Sequence, residues 1–199
     1  FFNLIDIREL RNCFMILPVY AIGQPVLKKK AAIISPDFEG LKELIADMWE
    51  TMYSAHGVGI AAPQIGQSIR LFVIDSIQIM EDDKKNEGIK KVFINAQIIE
   101  ETGDLWSYEE GCLSIPEIRG DVERTQKVRI QYLDENFKKH DEVYEGINAR
   151  VIQHEYDHIE GILFTEKLKP LKKKLIQRKL NDVKSGKIKA DYKIKYVRI

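Results

Sequence analysis

Apolar residues first recur at helical spacing between positions 41 and 52, where they would line one face of a helix. Pro36 suits a first turn, and Ser35 or Asp37 can cap the helix start. His56 and Gly57 are expected to end it, because glycine is common just after a helix. The predicted buried face consists of Leu41, Leu44, Ile45, Met48 and Met52.

Strand-like patterns occupy much of the remaining chain. Two runs flank the polar sequence DENFKK, the second around Tyr144, which predicts a hairpin. Residues 81–87 are polar and are expected to form a loop. The predicted strands are residues 31–35, 71–75, 92–99, 128–132 and part of 187–197.

Two further helices are predicted, one over residues 146–161 and a basic one from Pro170 to about Lys184. Strands segregated around one helix favour the α+β class. We therefore expect antiparallel strands packed around a central helix that carries the sequence HEYDH, followed by the basic C-terminal helix.

The composition is that of one ordinary domain, with 199 residues, zero formal net charge and 44% hydrophobic residues. Residues 1–14 are expected to be an extension, native or artificial, ahead of a start at Met15, with one catalytic domain over 15–199 and its helix and tail over 169–199. No apolar run approaches the roughly 20 residues that span a bilayer. Two cysteines fit a reducing compartment, which predicts a cytoplasmic protein.

The strongest chemical signal is His154-Glu155-Tyr156-Asp157-His158. Histidines four residues apart share a helix face and can bind one metal ion. Glu155, turned about 100° away, can take a proton from a water molecule at the metal. The alternative is a solvated helix face with incidental histidines.

HExxH supplies two ligands, whereas a catalytic site usually needs three. The extended protease pattern would need a third histidine where Phe164 stands, and Glu166 is the last glutamate. Cys112, in the sequence EEGCLSIPE, is the leading candidate for the third ligand, because a thiolate binds transition metals strongly. A lone cysteine is otherwise more often a small buried hydrophobe.

A third segment, Gly57 to Gln64 with the sequence GVGIAAPQ, has little side-chain bulk. It would allow close approach of another backbone, and Gln64 adds an amide donor. The alternative is a tight turn entering a strand.

These three segments, in this order, resemble the signature motifs of the peptide deformylase family: GxGxAAxQ, EGCLS and QHExDHxxG. The likeness runs from about Met15 to Leu168. Two small departures, at Ile159 and at Asn95-Ala96, do not touch the expected metal site.

The resemblance implies an enzyme that hydrolyses the formyl group from the formyl-methionine end of nascent polypeptides. Glu155 would accept and return the proton, while the Gln64 amide and the Leu113 backbone N–H would stabilise the oxyanion. Ferrous iron is the expected ion, with nickel, cobalt or zinc also accepted. The implied metal ligands are Cys112, His154 and His158.

The family binds its peptide as an added strand. Residues expected to contact it through the backbone are Val58, Gly59 and Gly111.

Helix geometry places Ile147 and Val151 on the face of His154, where they would form a methionine pocket. Glu110 and Val58 would complete its wall, Arg119 would lie near the downstream peptide, and the Arg150 head would reach solvent. Each lining residue could instead be plain core.

The tail from Lys169 to Lys189 holds nine basic residues and one acidic residue, Asp182. We expect Leu168, Leu171, Leu175 and Ile176 to pack inward. The lysines are either a solvated face or, as in similar bacterial deformylases, a surface that docks on ribosomal RNA. Neither DNA nor a membrane is an expected partner.

Two other functions remain open at this point. One is a zinc peptidase of the HExxH kind, which the missing third ligand disfavours. The other is a non-catalytic module with a structural metal, which would usually need four protein ligands. Chelator-sensitive release of formate would distinguish all three.

Overall fold

A five-stranded antiparallel sheet forms the centre of the computed structural model, which describes residues 14–197. The strands lie in the order β2-β3-β4-β5-β6 and three helices accompany them, as the α+β prediction requires. Residues 1–13 of the predicted extension lie outside the described residues. The sheet strands are β2 (Gly59–Ala61), β3 (Leu71–Asp75), β4 (Lys90–Cys112), β5 (Ile115–Leu133) and β6 (Lys139–Glu145).

Strands β4 and β5 form a long hairpin that positions the candidate site. Cys112 pairs with Ile115, so Leu113 and Ser114 form the turn between the strands. The sequence predicted only residues 92–99 of β4, because the middle of the hairpin is polar and largely exposed. The hairpin predicted around DENFKK is confirmed between β5 and β6, with Val128 opposite Tyr144.

Helix α1 (Leu41–Ser54) packs against β2, β3 and β4 through the predicted apolar face. Its start differs from the prediction. Gly40, with φ of 73°, precedes the first turn, and residues 36–37 form a separate turn. Glycine adopts such a left-handed φ readily, so the chain turns into the helix at Gly40 and not at Pro36. After the helix, His56 takes the left-handed conformation, with φ of 55°.

Helix α2 (Gly146–Ile159) carries residues 154–158 and packs against β2, β3 and β5. Its apolar side joins a core that includes Phe72, Phe93 and Ile130. The remaining buried positions on this helix are polar or charged, among them Arg150, Gln153, Glu155 and Asp157. A helix that buries so many polar groups needs partners for them, and these define the site.

Helix α3 (Pro170–Lys184) begins and ends where the sequence predicted. Ile176 is buried as expected, together with Leu180 and Val183, which follow it at helical spacing. The prediction for Leu171 and Leu175 is wrong, because they are 70% and 71% exposed. The helix carries two apolar stripes, and the hairpin covers only one of them.

The predicted strand over residues 187–197 is reduced to β7 (Ile194–Lys195), which pairs in parallel with β1 (Val19–Tyr20). Residues 31–35 contribute a single bridge, from Ala32 to Ile69, instead of a strand. The predicted polar loop contains a short 3-10 helix, Asp82–Glu87. Among the described helices, none has the length and apolarity required to cross a membrane.

Candidate metal centre and catalytic site

Three potential metal ligands converge where the β4–β5 hairpin meets α2. One ligand atom each from Cys112, His154 and His158 lies within 4.8 Å of the others. The Cys112 Sγ is 3.2 Å from the His158 Nε2. The histidines share a helix face because they are four residues apart, and the hairpin turn brings the cysteine to them.

Glu110 orients the first histidine. Its Oε2 is 2.9 Å from the His154 Nδ1, which leaves the Nε2 of that ring for a metal. Burial alone would raise the pKa of Glu110, but His154 and Arg124 hold it well below its usual range. Glu110 is therefore an ionised acceptor.

Two buried arginines hold Glu110 in place. Arg124 donates to both of its carboxylate oxygens, at 2.7 and 3.0 Å, and also to Asp157 at 2.7 Å. Arg150 donates to Glu110 at 2.9 Å. Removing one partner from such a buried charged group costs about 3–5 kcal/mol. This network ties both hairpin strands to α2 and fixes the distance between Cys112 and the histidines.

Arg150 differs from its prediction. Its guanidinium does not reach solvent but is buried, and it donates to the Trp106 carbonyl at 2.6 Å and the Val122 carbonyl at 2.9 Å. It also lies 4.4 Å from the Trp106 ring centroid. The ionised Glu110 and the aromatic ring offset part of the cost of burying this cation, although burial still lowers the pKa of Arg150.

The electrostatics of the histidines suit a bound cation. Burial lowers the pKa of His158 well below its ordinary value, so the ring stays neutral, the form that binds metals. Burial would also lower the pKa of His154, but Cys112 and Glu110 outweigh it and raise that pKa. The same negative groups would attract a metal ion. A soft thiolate with two imidazoles is a donor set for a divalent transition metal.

Glu155 lies beside these ligands in a deeply buried position. Burial raises its pKa to about 7, within the range in which a carboxylate can both accept and release a proton. Its Oε2 has no hydrogen-bond partner among residues 14–197. Room for the carboxylate exists only because position 59 is glycine.

Gln64 faces the centre from the 3-10 helix Ala62–Ile65. Its Oε1 accepts from the Ala61 backbone N–H at 2.8 Å, which turns the amide nitrogen towards the hairpin end. That nitrogen is 3.5 Å from the Cys112 Sγ and 3.3 Å from the Ser114 Oγ. The side chain therefore presents a fixed donor beside the metal ligands.

A cavity of about 880 Å³ opens onto this centre. Every site residue predicted from the sequence lines it except His158, which is buried and contacts the Cys112 Sγ. Arg119 is at the exposed rim, where it donates to Glu109 at 2.9 Å. The predicted lining residues are Val58, Gly59, Gln64, Glu110, Gly111, Cys112, Leu113, Arg119, Ile147, Val151, His154 and Glu155.

The sequence did not indicate two groups at the site. The buried Arg124 carries no motif of its own, and Asp157 belongs to HEYDH but has no predicted role. The tail residues Lys189–Tyr192 also line the cavity. They lie far along the chain from every motif, so only the tertiary structure brings them there.

Three convergent metal ligands, a buried carboxylate and an open cavity define a metal-dependent hydrolase. The sequence model of the polypeptide deformylase family matches residues 16–174. A peptide deformylase from Christiangramia forsetii is 56% identical over 189 residues, covering 92% of this chain and 96% of the relative. The chain belongs to the polypeptide deformylase family.

Solved structures agree with this assignment. A peptide deformylase from Legionella pneumophila superposes with a TM-score of 0.76 at 39% identity, covering 87% of this chain and 98% of that one. A Met-Ala-Ser-bound peptide deformylase from Acinetobacter baumannii has a TM-score of 0.71 at 36% identity, with coverages of 78% and 100%.

Family membership confirms the predicted function. The protein is a hydrolase that removes the N-formyl group from nascent peptides, in the N-terminal processing that accompanies protein biosynthesis. The family is metal-dependent, and the three clustered ligands are a possible metal site in this chain. The zinc-peptidase and structural-metal alternatives are therefore set aside.

Proposed function

We propose that Cys112, His154 and His158 hold one ferrous ion and that Glu155 is the proton-transferring group. The convergence of the three ligand atoms within 4.8 Å, beside a buried carboxylate, is the observation that carries this proposal. A divalent ion held there supplies Lewis-acid chemistry, polarising a carbonyl and lowering the pKa of a water molecule. Nickel, cobalt or zinc fits the same donor set.

Residues of the protein supply the proton transfer and the stabilisation of the oxyanion. Glu155 takes a proton from the attacking water and passes it to the leaving amine of methionine. The Gln64 amide and the Leu113 N–H donate to the oxygen on which negative charge develops. Removing one such preorganised donor typically costs about 3–4 kcal/mol. The fixed orientation of Gln64 supports its part, since a preset donor needs no reorganisation during the reaction.

The peptide is proposed to bind as an added strand along Val58, Gly59 and Gly111, which border the cavity. Ile147 and Val151 would form the wall of the methionine pocket. Glu110 would border it too, although its carboxylate is engaged by His154 and the arginines. Arg119 would contact the downstream peptide at the rim. The A. baumannii relative binds Met-Ala-Ser, a peptide that begins with methionine.

Formate release from a formyl-Met peptide tests the catalytic proposal. The iron-loaded protein should release formate, and a chelator should abolish this release until Fe²⁺ is restored. A formyl-Ala peptide is the matched control for the methionine pocket and should be a poorer substrate. Chelator-resistant turnover would contradict the proposed metal site.

We further propose that residues 15–199 act as one catalytic domain, with the HEYDH-bearing α2 as its central element. The protein would work in the cytoplasm, where nascent chains form and where thiols such as that of Cys112 stay reduced. Support for the central role of α2 is its contact with four strands of the sheet, β2, β3, β5 and β6.

Ribosome docking through α3 is a second proposal. The helix is lysine-rich, and its solvent side also presents the exposed Leu171 and Leu175. Phosphate contacts by lysines would make binding fall steeply with added salt.

Co-sedimentation with ribosomes tests the docking proposal. Changing Lys172, Lys173 and Lys174 to glutamate should abolish salt-sensitive binding while leaving peptide turnover intact. Lys84→Glu with Lys85→Glu is the control, because these lysines are also exposed but lie on the distant 3-10 helix. Equal binding by both variants would favour a merely solvated helix face.

A further inference from the structure

The chain after α3 returns to the active site. Strand β7 pairs with β1, and backbone bonds join the two segments: the Val19 N–H donates to the Lys193 carbonyl at 2.8 Å, and the Ala21 N–H donates to the Lys195 carbonyl at 3.0 Å. Gln24 adds a side-chain bond to the Tyr196 carbonyl at 2.8 Å. These contacts hold the segment before β7 against the hairpin turn.

Tyr192 makes the direct contact with that turn. Its hydroxyl donates to the Leu113 carbonyl at 2.6 Å, and its ring packs on the core cluster that includes Met52 and Ile60. Leu113 is one of only two residues in the turn, and its own N–H belongs to the peptide bond that follows Cys112. A bond to its carbonyl therefore constrains both the thiolate and the N–H that precede it.

Within residues 14–197, three hydrogen bonds reach the turn residues Leu113 and Ser114 from outside the hairpin. Gln64 reaches the Ser114 hydroxyl at 3.3 Å, and the Ile22 N–H donates to the Ser114 carbonyl at 2.8 Å. Both act on Ser114. Tyr192 is the one that acts on Leu113. Ile22 follows β1, so the tail supports the turn through this strand as well.

We propose that Tyr192 is a positioning residue for catalysis, which sets the Leu113 N–H and the Cys112 thiolate through the Leu113 carbonyl. The inference rests on the proposed roles of those two groups. Tyr192 lies beyond residue 174, where the family match ends, so this support is carried by the tail. Without it, the turn would keep its fold but lose the fixed direction of its N–H.

Tyr192→Phe tests the proposal, because it removes the hydroxyl and keeps the ring. The kcat for a formyl-Met peptide should fall on the order of tenfold, the effect of losing one hydrogen bond, while KM changes little. The cobalt-substituted variant should show a shifted visible spectrum, since the thiolate ligand moves. Tyr53→Phe is the matched control: its ring packs on the same core cluster, but its hydroxyl donates to Asp75 at 2.7 Å and does not reach the turn.

A kcat and a cobalt spectrum equal to those of Tyr53→Phe would overturn the proposal. Should Tyr192→Phe lose its fold in thermal denaturation, Gln24→Ala replaces it. That change loosens the tail without touching Tyr192, and it should lower kcat selectively; an unchanged kcat would contradict the account. Glu155→Gln, measured in parallel, distinguishes failure of the proposed function from failure of the role of Tyr192. If Glu155→Gln alone loses turnover, the proposed site stands and the role of Tyr192 fails.

Discussion

A Cβ atom on Gly59 would lie 2.7 Å from the Glu155 Oε1, so the carboxylate occupies the volume that any other side chain would fill. Strand β2 and helix α2 are thus in contact through a glycine and a carboxylate. A glycine in the GVGIAAPQ segment is therefore required by the Glu155 side chain of the protein itself, and not only by the approach of a peptide strand.

Gly59→Ala should therefore displace Glu155 and lower kcat by about 10²-fold, the loss that a misplacement of about 1 Å can cause. Metal content should stay near one ion per chain, because the three ligands are untouched. Steady-state turnover and metal analysis check this. Turnover within twofold of the unmodified enzyme would show that the carboxylate position tolerates the added methyl.

Cys112→Ser should sharply weaken iron binding, because serine is a harder ligand that rarely ionises at neutral pH. The unmodified protein, loaded with Fe²⁺, should also lose activity in air, since thiolates oxidise readily. Iron retention after gel filtration measures the first effect, and formate release before and after exposure to air measures the second. Ser114→Ala is the neighbouring control. If the Cys112→Ser protein kept its iron and activity, another residue would be the third ligand.

Glu142 should contribute stability that depends on pH. Burial alone would raise its pKa, but hydrogen bonds from Lys91, Tyr144 and Tyr132 outweigh burial and lower the pKa to about 2. Since the folded pKa lies below the unfolded value of about 4.3, the contribution is present above that value. It is lost as pH falls towards about 2.

Glu142→Gln should accordingly lower Tm at pH 7, and its difference from the unmodified protein should shrink as pH falls from about 4.3 to about 2. The exposed Glu135→Gln is the control. Thermal unfolding followed by circular dichroism across this range is the measurement. A constant difference would show that the carboxylate charge is not what stabilises β6.

Removing residues 1–14 should leave turnover intact. The family match begins at residue 16, and all proposed site residues lie beyond it. Formate release by the metal-loaded truncated protein checks this, with circular dichroism to confirm folding. A large loss in a folded, metal-loaded sample would give the extension a role.

Local patterns made the helices and the chemistry predictable. The two histidines of HEYDH share a face because of the geometry of a single helix. The buried stripe of Ile176, Leu180 and Val183 follows the same helical spacing. Long-range pairing was not predictable. The middle of β4 is polar, so its continuation to Cys112 depends on β5 beside it. Leu171 has the same local pattern as a core residue but is 70% exposed.

The same distinction between local patterns and long-range contacts applies to the site residues. Cys112 was predicted because HExxH lacked a ligand, which is a deduction from chemistry. Arg124 and Tyr192 act through contacts with residues distant in sequence, and no local pattern encodes such contacts. The buried Arg150 shows the same limit, since its partner Glu110 lies on another element.

The central claim is that a metal ion at Cys112, His154 and His158 works with Glu155 as the proton carrier. Glu155→Gln keeps the shape of the side chain and removes the base, so the variant should bind its metal normally. Formate release from a formyl-Met peptide should then fall by about 10²–10⁴-fold at full metal occupancy. Near-normal formate release by the metal-loaded Glu155→Gln protein would contradict the account.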